Sequence, residues 1–134
     1  MQRHQGRLID HIHLRVSDLE ASRRFYRAVF QALGHDFTSK SPEHFACDEL
    51  WVDKASGPVS QVHLAFQAKD RESVHAFHTA ALGAGGRDNG GPGERSYHAG
   101  YYAAFAFDPG TGTTSRRCIM GRGNAPLPTP DLPQ

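Results

Sequence analysis

Imidazole is the commonest protein metal ligand and a frequent acid or base, and this chain carries nine histidines in 134 residues. Two of them are singled out by a repeat. Laying residues 11–36 over 63–88, an offset of 52 without a gap, pairs His11 with His63. The same overlay pairs Asp18 with Asp70, Glu20 with Glu72, Phe25 with Phe77 and Gly34 with Gly86. Ala28 and Ala80, Ala32 and Ala84, and Asp36 and Asp88 also coincide. Helix caps and stops account for the matched aspartates and glycines in any two strand-helix units. They do not account for a histidine at the same point of both strands. Two halves related by a pseudo-twofold axis would aim His11 and His63 at one central space.

The elements that must hold this pair are legible in the patterning. Residues 8–16, LIDHIHLRV, alternate as a half-buried strand does, which places His13 on the same face as His11. His13 therefore either lines the same pocket or packs. Ser17 followed by Glu20 predicts a capping box, and Leu19, Ser22, Tyr26, Val29, Phe30 and Leu33 recur at helical spacing up to a stop at Gly34. Short strands are expected near 35–38, 43–47 and 49–54, with Trp51 as core or as lining of a concave face. The order then restarts: a strand over 61–68, and a helix over 70–84 with Asp70 as N-cap, Val74, Phe77, Ala81 and Leu82 inward, and Gly85 as stop. His75 and His78, three apart on that helix, flank its apolar stripe and read as solvated. A glycine-rich loop leads to an apolar strand, YYAAFAF, over 101–107. His98, next to Tyr97 and shortly before Tyr101 and Tyr102, either borders a ligand mouth or has no role.

Bulk properties narrow the function classes. The length suits one domain of about 1–120, with halves near 7–58 and 59–120, and the proline-rich text of 121–134 reads as a flexible tail. A net charge of +1, with acids and bases interspersed, argues against a nucleic-acid partner. No apolar run approaches the roughly 20 residues of a membrane helix. Cys47 and Cys118 form no disulfide framework, and no signal-peptide pattern opens the chain, so a cytoplasmic setting is expected.

The strand IDHIHLRV, the capped helix SDLEASRRFYRAVF, the strand VHLAF, the helix DRESVHAFHTAAL and the closing YYAAFAFDP together resemble the vicinal oxygen chelate superfamily of glyoxalases, bleomycin resistance proteins and extradiol dioxygenases. The likeness spans about residues 7–110, and SYHAGYYAAFAFDP is similar to a subgroup of uncharacterised bacterial members. The resemblance implies an α+β fold of two βαβββ modules forming an open, cupped mixed sheet, usually in a homodimer. It further implies a divalent metal ion (nickel, zinc, manganese or iron) held by His11 and His63, acting on a small oxygen-bearing substrate by lyase, isomerase or dioxygenase chemistry. Trp51, His98 and Tyr101 would border that substrate. The carboxylate expected on the last strand falls on Ser115, a poor substitute for an anionic ligand. Glu49, in the corresponding strand of the first half, is either a further ligand or an exposed strand residue. The rival expectation is a metal-free dimer that sequesters a hydrophobic or cationic small molecule in the cup, with Trp51, Tyr97, Tyr101 and Tyr102 as stacking surface. A third is a damaged gene product that folds without activity.

The unusual ending has a specific reading. Thr113 to Met120 can be encoded ACA ACA TCG AGG CGG TGT ATC ATG. Read from a preceding A, the same bases give Asn-Asn-Ile-Glu-Ala-Val-Tyr-His, which restores the glutamate the resemblance implies. Residues after about 110 are then a frame-shifted family terminus, the alternative being ordinary divergence. Sequencing the gene decides between them: the shifted-terminus reading requires codons for 113–120 that permit the second frame, and codons that forbid it refute that reading.

Overall fold

The computed structural model describes residues 8–96, 101–109 and 118–123. His98 and Ser115 lie outside the described residues, as does the tail from 124 onward. Two strand-helix-strand units follow one another, in agreement with the offset of 52. In the first, β1 (Ile12–Val16) leads into α1 (Leu19–Ala32), then β2 (Ser39–Ser41), β3 (His44–Cys47) and β4 (Leu50–Lys54). In the second, β5 (His63–Ala68) leads into α2 (Arg71–Gly83) and two short strands, β6 (Arg87–Asp88) and β7 (Gly93–Glu94). It ends in β8 (Tyr102–Phe107) and β9 (Cys118–Gly123), so the last strand runs past residue 120.

Each half makes its own mixed sheet: β1-β4-β3-β2 in one, β5-β9-β8-β6 in the other, with β7 also paired to β8. The first strand of each half runs parallel to the last, Ile12 opposite Leu50 and His63 opposite Cys118. A parallel pair needs a long crossover, and the helix of each unit supplies it.

The local chemistry explains the helix boundaries. Asp18, not Ser17, caps α1, its carboxylate accepting from the Ala21 N–H, and Asp70 caps α2 in the same way from Ser73. Hydrogen bonding from the Ser73 hydroxyl, and after it from the Ser73 N–H, holds the Asp70 carboxyl below its ordinary value. Gly34 and Gly85 take left-handed φ of 89° and 100° where the helices stop. Between the first helix and β3, the strand expected over 35–38 is displaced to Ser39–Ser41, because Thr38 is already bonded to the Ala46 carbonyl as the hairpin opens.

Leu14 and Val16 on β1, Phe25, Tyr26, Val29 and Phe30 on α1, and Phe45 and Val52 on β3 and β4 form one core with Val74, Phe77 and Ala81 of α2. Leu82 was expected inside but is 39% exposed, one position off the buried stripe. Two contacts lock the halves together. The buried Tyr26 hydroxyl donates to Asp108, which ends β8 and is only 3% exposed. Gly86 sits where the chain leaves α2, and a Cβ there would lie 2.6 Å from Phe25 Cε1 and 2.7 Å from the Ala81 carbonyl oxygen. Gly86→Ala should therefore cost about 2–3 kcal/mol, read as a lower urea midpoint at unchanged slope, whereas an unchanged midpoint would show that the helices are not packed this closely.

Candidate functional site on the open face of the first sheet

The side of the first sheet turned away from α1 carries a cluster of polar and aromatic side chains. Because β1 and β4 are parallel and in register, His13 stands opposite Trp51 and Arg15 opposite Asp53. The antiparallel β3 brings Ala46 opposite Trp51 and His44 opposite Asp53. Side chains alternate across a strand, so these residues share one face while Leu14, Val16, Phe45 and Val52 fill the core beneath.

These side chains are built into one network. His13 Nε2 lies 2.8 Å from Asp53 Oδ1, and Trp51 Nε1 donates to Asp53 Oδ2 at 3.4 Å. The rings of His44 and Trp51 stack at 4.0 Å with an interplanar angle of 1°. Ser39 Oγ and Ser41 Oγ hold the two nitrogens of His44, at 2.9 Å from Nε2 and 2.8 Å from Nδ1. Arg23 of α1 anchors the hairpin from behind, donating to the carbonyls of Ser41 and His44 and lying over the Phe45 ring. The result is a flat aromatic ledge whose rings cannot rotate freely, beside an imidazole-carboxylate pair. Such a surface suits a planar molecule with oxygen atoms at its edge.

The histidines singled out by the repeat occupy matching places but different surroundings. His11 precedes β1, its side chain is 68% exposed, and its Nδ1 lies 2.9 Å from Asp10. The backbone N–H of Ile12 donates to the Glu49 carbonyl at 2.7 Å, which sets Glu49 beside His11 across the parallel pair. His63 opens β5 in the other sheet and meets Phe105 edge to face at 5.9 Å. Among the described residues no three His, Cys, Asp or Glu side chains come together to hold a metal ion. His11, just before β1, and His63, on β5, belong to different sheets, and the described residues assemble no three-donor centre around either.

Of the remaining expectations, Trp51 is 38% exposed and belongs to the open face rather than the core. Tyr101 precedes β8, half-buried, its carbonyl accepting from the Arg95 N–H. His75 and His78 are engaged rather than simply solvated: His75 Nε2 meets the Tyr102 hydroxyl at 2.7 Å, and His78 Nε2 meets Asp88 at 2.9 Å. The Gly90 N–H, and after it His78, hold the Asp88 carboxyl below its ordinary value. His44 and Asp53 went unnoticed in the sequence. Their period-2 placement around Phe45 and Val52 was visible, but which strands they would face was not.

Cys47 lies behind this face, on β3. Burial, then the charges of Asp48, Glu49 and Asp36, push its thiol up from 9.0 to about 11. The folded-state value is the raised one, so its contribution to stability is complete below pH 9 and is lost as pH rises through about 11. At about pH 8 that shift predicts alkylation of Cys47 roughly 100-fold slower in folded than in unfolded Cys118→Ser protein; equal rates would contradict it.

Comparison with known proteins places this geometry. No functionally curated protein matches the chain. A glyoxalase/bleomycin resistance protein from Albidiferax ferrireducens superposes with a TM-score of 0.70 at 25% identity, over 84% of this chain and 96% of that one. A glyoxalase-related enzyme from Fulvimarina pelagi gives 0.66 at 19% identity, over 89% of each chain. A lactoylglutathione lyase from Agrobacterium tumefaciens gives 0.60 at 22%, over 89% and 95%. The sequence profile of the Glyoxalase/Bleomycin resistance protein/Dioxygenase superfamily matches residues 8–114. The chain belongs to that superfamily.

Proposed function

We propose that this chain binds a small, planar, oxygen-bearing molecule on the open face of its first sheet. The ligand stacks on the Trp51–His44 ledge and its oxygens are met by His13. The observation that carries this reading is the His44–Trp51 stack, held by Ser39 and Ser41 and continued through Asp53 to His13. Six side chains are fixed at the surface there without contributing to the core, which is the arrangement of a recognition surface. The His13 imidazole, steadied by Asp53, can accept a hydrogen bond or a proton from a ligand hydroxyl. Assembly as a homodimer belongs to the same proposal, since a second copy would wall the open face.

A second reading, a divalent-metal enzyme of the glyoxalase or dioxygenase type, is favoured by one observation: Glu49 stands beside His11 across the β1–β4 pair. It requires further donors besides His11 and Glu49, and His63 is the residue proposed for that role. Metal analysis of protein purified without chelator separates the readings. Bound metal in a fixed ratio, lost in His11→Ala, supports the enzyme. Metal-free protein whose melting temperature is unmoved by nickel, zinc, manganese or iron(II) counts against it.

Trp51 is the sole tryptophan, so its emission reports the ledge directly. Catechol and mandelate should change it saturably, His44→Ala should weaken that binding about threefold to tenfold, and His13→Ala roughly fivefold. A linear, unsaturable response in the unsubstituted protein would refute the proposal.

A further inference from the structure

A cavity of about 840 Å³ lies away from the ledge, between the halves, where the end of α1 and the start of β4 face β5. Its volume is within the range of small-molecule sites. The walls come from both units: Phe30, Leu33 and Leu50 from the first, Leu64 and Phe66 from the second. Phe30 and Phe66 meet edge to face at 5.4 Å, so the two halves close the floor with an aromatic contact. Three carboxylate residues, Asp36, Asp48 and Glu49, also line the cavity together with His35, and among the described residues no lysine or arginine lines it. An apolar floor under a negative rim favours one class of ligand, because each anionic group repels an acid and attracts a cation while the floor rewards hydrocarbon.

We propose that this cavity is a binding site for a hydrophobic monocation, an aryl or alkyl group carrying one ammonium, with the hydrocarbon against Phe30 and Phe66 and the charge among Asp36, Asp48 and Glu49. The raised Cys47 thiol is in accord, since these three carboxylates are the charges that act on it. The site is separate from the Trp51 ledge, and each stands or falls alone.

Three near-isosteric probes test it: 1-naphthylmethylamine, 1-naphthylmethanol and 1-naphthylacetate, titrated calorimetrically into full-length Cys118→Ser protein at about 20 mM salt, where surface charges are weakly screened. The amine should bind about tenfold or more tightly than the alcohol, and the acid should not saturate. Asp36→Asn with Asp48→Asn should bring the amine to within about twofold of the alcohol. Asparagine suits both places: Asp48 has φ of 53°, which asparagine tolerates, and an amide oxygen can still accept the Phe37 N–H that bonds Asp36. Equal binding of amine and alcohol, or no binding of either, overturns the proposal. So does a preference that survives the double substitution.

Discussion

The parallel pairing of β1 with β4 is the constraint on which the rest depends. Ile12 opposite Leu50 sets His13 against Trp51 and Arg15 against Asp53, and it carries Glu49 to the side of His11. Slipping that register by one residue would turn every one of these side chains to the other face and expose Leu14, Val16 and Val52, which the core buries completely or nearly so. The hydrophobic requirement of the core and the composition of the open face are therefore one condition. The connection after β4 reinforces it, since Ser60 exchanges backbone hydrogen bonds with Arg15 through its N–H and hydroxyl.

The two halves then differ in what they do with the same plan. In the second, His63 opens β5 as His11 precedes β1, but its neighbour is the ring of Phe105 rather than a carboxylate residue. Arg95 and Arg87 cover Phe105 and Phe107 on that sheet. The first half keeps a connected polar-aromatic network and the second presents rings capped by guanidinium groups. The fold is held across this asymmetry by Tyr26 with Asp108 and by the close approach at Gly86.

Much of the fold was legible because it rests on local rules. Asp70, Gly34 and Gly85 carry chain-ending chemistry in their own types, and the apolar spacing of α1 needs no tertiary information. The repeat gave the correspondence of the two units, with His11 just before β1 and His63 at the start of β5. What escaped depends on how strands meet. Asp53 and His44 become partners of His13 and Trp51 only once β3, β4 and β1 are in register, and no local pattern states that register. The cavity between the halves escaped for the same reason, since Asp36, Asp48 and Phe66 come from three separate stretches of chain.

Trp51, on the open face of the first sheet, carries the sole indole N–H of the protein and reports directly on whether that face takes a ligand. In a two-dimensional amide NMR titration with catechol, the account predicts that the Trp51 indole signal and the amides of β1 and β4 shift together and saturate with a common dissociation constant. Saturating shifts confined to the second sheet or to the cavity between the halves, with the Trp51 indole unmoved, would contradict it.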